Sequence, residues 1–215
     1  MPAGCFSGCA CATVRALAMA ELQRHSAVVR ITHWITAFSF VGLVVSGIAI
    51  LVAHPRLYWG ETGGLDTPSL IDLHLPFIFG PSGWGRSLHF LSAWTLVLTG
   101  LIYVISGLCT RHFARQTVTY KAIQRATYRG VVFLLFPLMV WTGFAMSPAI
   151  TSVLPWLVTV LGGQQSARTI HFLVANVILV FVIVHIAMVV FTGFTAHMRA
   201  MITGRDDPKE HTWAN

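Results

Sequence analysis

Four stretches of this chain, residues 31–53, 88–109, 131–147 and 169–195, are apolar and carry no Asp, Glu, Lys or Arg. A helix crosses the hydrocarbon core of a bilayer with about 20 mostly apolar residues. Helices suit that setting because their backbone groups bond internally, where no water is present to satisfy them. The four runs predict four membrane-spanning helices, with Pro137 kinking the third. A shorter apolar piece, residues 153–161, contains Pro155 and ends at Gly162-Gly163. It is too short to span and is expected in the membrane interface. Composition agrees: 10% of residues are charged and the mean hydropathy is +0.72, where a soluble domain carries about 25% charged residues. The reading is an all-α, integral membrane four-helix bundle without internal repeats.

The connecting segments set an orientation. Arg15, Arg24, Arg30, Arg111, Arg115, Lys121, Arg125, Arg129, Arg199, Arg205 and Lys209 fall on one side of the four runs, and only Arg56, Arg86 and Arg168 on the other. The positive-inside rule then places both termini and the middle loop in the cytoplasm. The Gly- and Pro-rich loop 54–85 is expected to face the periplasm or exterior, with Tyr58, Trp59 and Trp84 suited to an interfacial belt. The net charge of +7 is accounted for by orientation, and no basic patch with interleaved aromatics points to nucleic acid. Residues 25–205 are read as the membrane domain. Residues 1–24 are read as a disordered cytoplasmic tail and residues 206–215 as a second, cytoplasmic tail.

Four of the ten histidines lie within the runs: His33 in the first, His89 in the second, His171 and His185 in the fourth. Ligating side chains inside a span are costly and are functional suspects. Fourteen residues separate His171 from His185, so the two point within about 40° of one another and stand about 21 Å apart along the axis. A lone intramembrane histidine reads more readily as a hydrogen-bonded helix contact. Four, divided over three helices, fit bis-histidine ligation with one partner from each of two facing helices. His89 and His171 each follow an arginine by three residues at the outer start of a span, and they pair at an outer haem. His33 and His185 remain for an inner haem. For that depth to match, the first helix must begin before Ile31. Two b-type haems, stacked across the bilayer, are the result, each a six-coordinate electron carrier.

Arg30, Arg86 and Arg168 are candidates to bind haem propionates through the planar guanidinium; each reads equally as a snorkelling interfacial cation. Gly47, Gly100, Gly107 and Gly143 leave room for porphyrin faces, and close helix packing explains them equally. Zinc would need the histidines gathered on one tetrahedron, which the spacing on the fourth run forbids. A proton relay lacks any intramembrane Asp or Glu. Cys5, Cys9 and Cys11 have no usual zinc or iron–sulfur spacing, and no Cys-x-x-Cys-His encodes a c-type haem.

The motifs Arg-Ile-Thr-His33-Trp, Gly-Arg-Ser-Leu-His89-Phe, Ala-Arg-Thr-Ile-His171-Phe and Val-His185-Ile resemble the bacterial cytochrome b561 superfamily. That group includes the cytochrome b subunits of nickel–iron hydrogenase, formate dehydrogenase and thiosulfate reductase. The resemblance extends to residues 54–60, 146–148, 162–168 and 201–205, and covers roughly residues 25–205. It implies a subunit of the bacterial inner membrane that exchanges electrons between a periplasmic oxidoreductase, often molybdopterin-dependent, and the quinone pool. Tyr128, Arg129, His197 and His112 are candidates to meet quinone near the inner face, each readable also as an ordinary interface residue. The loop 54–85 and the segment 148–168 are the expected docking surfaces. Two alternatives stand: a free-standing oxidoreductase passing electrons from a small reductant or superoxide to quinone, and an accessory haem-bearing subunit of a larger photosynthetic or respiratory complex.

Overall fold

The computed structural model describes residues 26–64, 66–73, 83–109, 126–127 and 129–204. The sequence-predicted tails, most of the middle loop, and the positions of His112 and Tyr128 lie outside them. Among the described residues three helices are long and apolar enough to cross a membrane: α1 (Ala27–Ala53), α2 (Gly83–Cys109) and the helix Gln164–Phe191. Each of the 27-residue helices α1 and α2 is about 40 Å long, more than the roughly 30 Å hydrocarbon core. Both extend past the apolar run into polar flanking residues. The start of α1 at Ala27 meets the requirement that it begin before Ile31.

After α1, Pro55 ends the helix and the chain forms a two-residue strand, β1 (Arg56–Leu57), paired antiparallel with β2 (Ile71–Asp72). This small ribbon departs from the all-α expectation. Proline cannot continue the helical ladder, and an Arg56–Asp72 ion pair at 3.1 Å closes the two strands. The third apolar run opens as a π-helical turn, Val131–Leu135, and continues as α3 (Phe136–Ala145). Residues 126–127 and 129–130 are helical as well. Pro137 has no N–H to give to the carbonyl four residues back. The wide turn just before it absorbs that mismatch, as inserted π turns do.

Two single-turn helices follow, α4 (Pro148–Thr151) and α5 (Trp156–Thr159). Residues 153–161, expected at the interface, are divided between two surroundings. Val153, Trp156 and Val160 are exposed, while Leu157 and Val158 join a buried cluster with Ala145 and Ala167. The Trp141 indole donates to the Leu157 carbonyl at 3.2 Å. The 28-residue α6 (Gln164–Phe191) is the third long apolar helix. It stops short of the predicted Thr195, because Gly193 takes φ +114° and starts a separate helix, α7 (Phe194–Thr203).

By contacts the chain divides into two compact units, residues 35–185 and, among the described residues, 26–34 with 186–204. What α1 and α2 bury is small. Thr32, Ser39 and Ser46 recur every seventh residue along α1, and Gly85, Ser92 and Thr99 do so along α2. Seven residues are close to two helical turns, so each set forms one stripe. Large apolar side chains face outward instead, Phe38 at 73% and Leu91 at 66% exposure. Lipid is as apolar as leucine, so burying leucine between membrane helices gains little; small residues let backbones approach and make contacts. Gly42 on α1 lies against Ser92 on α2, whose side chain a Cβ at Gly42 would meet.

Candidate functional site

Within the larger unit, α2 and α6 bring two of the predicted histidines together. The His89 and His171 rings stand with centroids 6.3 Å apart and planes at 58°. Two imidazoles on opposite sides of one metal, with bonds of about 2.0–2.1 Å and roughly 1.1 Å more to each ring centre, have centroids roughly 6–6.5 Å apart. Among the described residues no three His, Cys, Asp or Glu gather into a metal-binding group. A bare ion would be short of protein ligands here, whereas a porphyrin iron asks the protein for two. His89 and His171 are thus residues that could hold a haem iron.

Neither helix that carries a ring orients it. Ser46 on α1 has its hydroxyl 3.0 Å from His89 Nδ1, and Thr142 on α3 has its hydroxyl 2.8 Å from His171 Nδ1. Both hydroxyl residues are fully buried. With each Nδ1 engaged, Nε2 is the nitrogen left to each ring. The residue after each hydroxyl is glycine: a Cβ on Gly47 would stand 3.9 Å from His89 Cε1, and one on Gly143 would stand 3.7 Å from His171 Cε1. Sequence reasoning named these two glycines and missed Ser46 and Thr142. Each is a hydroxyl residue directly before a glycine inside an apolar run, a pattern that Thr99-Gly100 and Ser106-Gly107 share, so the sequence does not single them out.

The segment after α1 folds over the start of α6. Leu57 and Tyr58 are buried, and Thr169 donates to the Tyr58 carbonyl at 2.6 Å. The Gly60 carbonyl accepts from Gln165 N and Ser166 N, while Gly60 N donates to the Ser166 hydroxyl at 2.8 Å. These bonds satisfy N–H groups that every helix start leaves without partners. Gly163, at φ +119°, lies so close to the Gly60 backbone that a Cβ there would collide with it. Arg168 donates to the His54 carbonyl just past the end of α1. A hydrogen-bonded cap thus begins two residues from His171.

His185, in the larger unit, is exposed and stacks on Phe181 at 6.2 Å. His33, in the smaller unit, is exposed and meets Trp34 edge-on at 5.8 Å. Arg30 donates to the Ile202 carbonyl at 2.7 Å and so caps the end of α7, where Gly204 adopts a left-handed conformation. Its buried Nε has no partner among the described residues. Arg86 and Arg129 are exposed. His197 Nδ1 donates to the Gly193 carbonyl at 2.7 Å, one turn back.

A family model described as prokaryotic cytochrome b561 matches residues 24–204. A protein of Azospira oryzae, whose name assigns it provisionally as a protein-methionine-sulfoxide reductase subunit, YedZ1, is 29% identical over 213 residues. The match covers 84% of this chain and 96% of that protein. No solved structure matches. A match that takes in all four histidines and every long apolar helix places the geometry in its lineage: the chain belongs to the prokaryotic cytochrome b561 family, whose members bind haem b.

Proposed function

We propose that this protein is a dihaem electron-transfer subunit of the bacterial inner membrane, working between a periplasmic redox partner and quinone. The observation that carries the reading is the His89–His171 pair, two rings from different helices held 6.3 Å apart. His89 and His171 would hold one haem b, each with Nε2 as the nitrogen its hydroxyl contact leaves over. His33 and His185 hold the second, an assignment that rests on their sequence spacing. A haem held there would supply one-electron transfer.

The chain's own residues do the rest. The cap over the start of α6 excludes water from the His171 side and offers a folded surface to a partner, through the loop after α1 and the segment 148–168. Arg86 and Arg168 neutralise propionate charge on that side, and Arg30, with an Nε donor to spare, does so near His33. Arg129, His197, Tyr128 and His112 border the quinone. Likeness to a relative named as a sulfoxide reductase subunit favours a reductase as the partner over a free-standing activity.

Pyridine haemochrome analysis of the purified protein tests the reading. Two haems b per chain are expected, falling to one in His89→Ala and to one in His185→Ala. Wild-type protein without haem, after expression with haem in excess, would sink it.

A further inference from the structure

We infer that Ser46 and Thr142 are positioning residues that fix the tautomer, ring orientation and electron donation of the two histidines of one haem. The inference rests on the reading of His89 and His171 as axial ligands. Each hydroxyl has a single proton and lies within reach of carbonyls one turn back on its own helix. Ser46 Oγ is 2.6 Å from the Gly42 carbonyl, and Thr142 Oγ1 is 2.9 Å from the Leu138 carbonyl. With its proton given to such a carbonyl, each hydroxyl oxygen meets the imidazole with a lone pair. The imidazole then donates Nδ1–H, and for His171 the Met139 carbonyl on α3 is a further acceptor. That proton placement leaves Nε2 with its lone pair free, the form a metal requires.

The same bond has an electronic consequence. Donating Nδ1–H to an acceptor makes the ring a stronger donor at its other nitrogen, which favours the ferric over the ferrous state of a ligated iron. The device occurs twice, on α1 and on α3, helices that carry neither of the two rings, and each copy is followed by a glycine that keeps the flank of the ring clear. Helices without a ligand to this haem would therefore set its potential.

Thr142 allows a test that separates hydrogen bonding from volume. Thr142→Val keeps the shape and removes the hydroxyl; Thr142→Ser keeps the hydroxyl and removes a methyl. Haem per chain, the midpoint potential of each haem by optical titration, and the low-spin electron paramagnetic resonance signals are read for both, with Ser46→Ala alongside. The expected result is an upward shift of one of the two potentials, with a changed signal from that haem, in Thr142→Val and Ser46→Ala. Thr142→Ser is expected to match wild type. Loss of that one haem in Thr142→Val with retention in Thr142→Ser supports the inference equally. Unchanged potentials and signals in Thr142→Val, or a shift in Thr142→Ser as large as in Thr142→Val, overturn it. His89→Ala serves as the separate control: if it keeps both haems, the ligand assignment fails, whatever the Thr142 variants do.

Discussion

Single residues at this site are distinguished by what stands beside them. Gly143 and Gly47 lie against the imidazoles, whereas a Cβ on Gly100 would meet nothing within 4 Å. These three glycines look alike in the sequence, because space around a helix is defined by its neighbours. The contrast predicts that Gly143→Leu drops the haem content from two to one per chain while Gly100→Leu leaves it at two, as read by haemochrome assay. Gly163 is constrained by its own backbone. An alanine there meets both a left-handed conformation and the Gly60 backbone, and such strain costs of order 1–3 kcal/mol. Gly163→Ala is therefore expected to lower the unfolding temperature in detergent, while Gly64→Ala, with open space around it, leaves it nearly unchanged.

Among the elements, the apolar runs located three long helices, and their ends were displaced by a few residues. Helices ran on into polar flanks at Gly83 and Gln164 and stopped early at Phe191. Hydropathy reports where lipid surrounds the chain, while backbone bonding and glycine conformation decide where a helix ends. The third run proved to be a π turn joined to α3; Pro137 announced a disturbance there without specifying its form. Contact between α1 and α2 depends on small residues. Gly42→Leu should separate the two helices and lower the unfolding temperature markedly. Phe38→Leu, on the exposed face, should stay within about 0.5 kcal/mol of wild type, the range of ordinary surface changes. Thermal unfolding of the two variants in the same detergent checks the pair.

For the whole molecule, charge asymmetry carries the orientation. Basic residues are retained on the cytoplasmic side during insertion, so a reporter enzyme that is active only in the periplasm should be active when fused after residue 73. It should be inactive when fused after residue 204. The opposite pattern would invert the arrangement of partner and quinone sides proposed above. Family membership, four histidines over three helices and the membrane setting were all legible in the sequence, because ligating and charged residues stand out against an apolar background.

The sequence by itself determined where the long apolar helices lie and which imidazoles are set among apolar residues. Only the tertiary structure decided what holds two of those imidazoles. The Ser46–His89 and Thr142–His171 bonds join residues 43 and 29 positions apart. They depend on how each helix is rotated about its own axis. In water that rotation is written into an amphipathic pattern, since one face must avoid solvent. In lipid every face is apolar, so the pattern is muted, and the rotation is set by small residues that let particular helices touch.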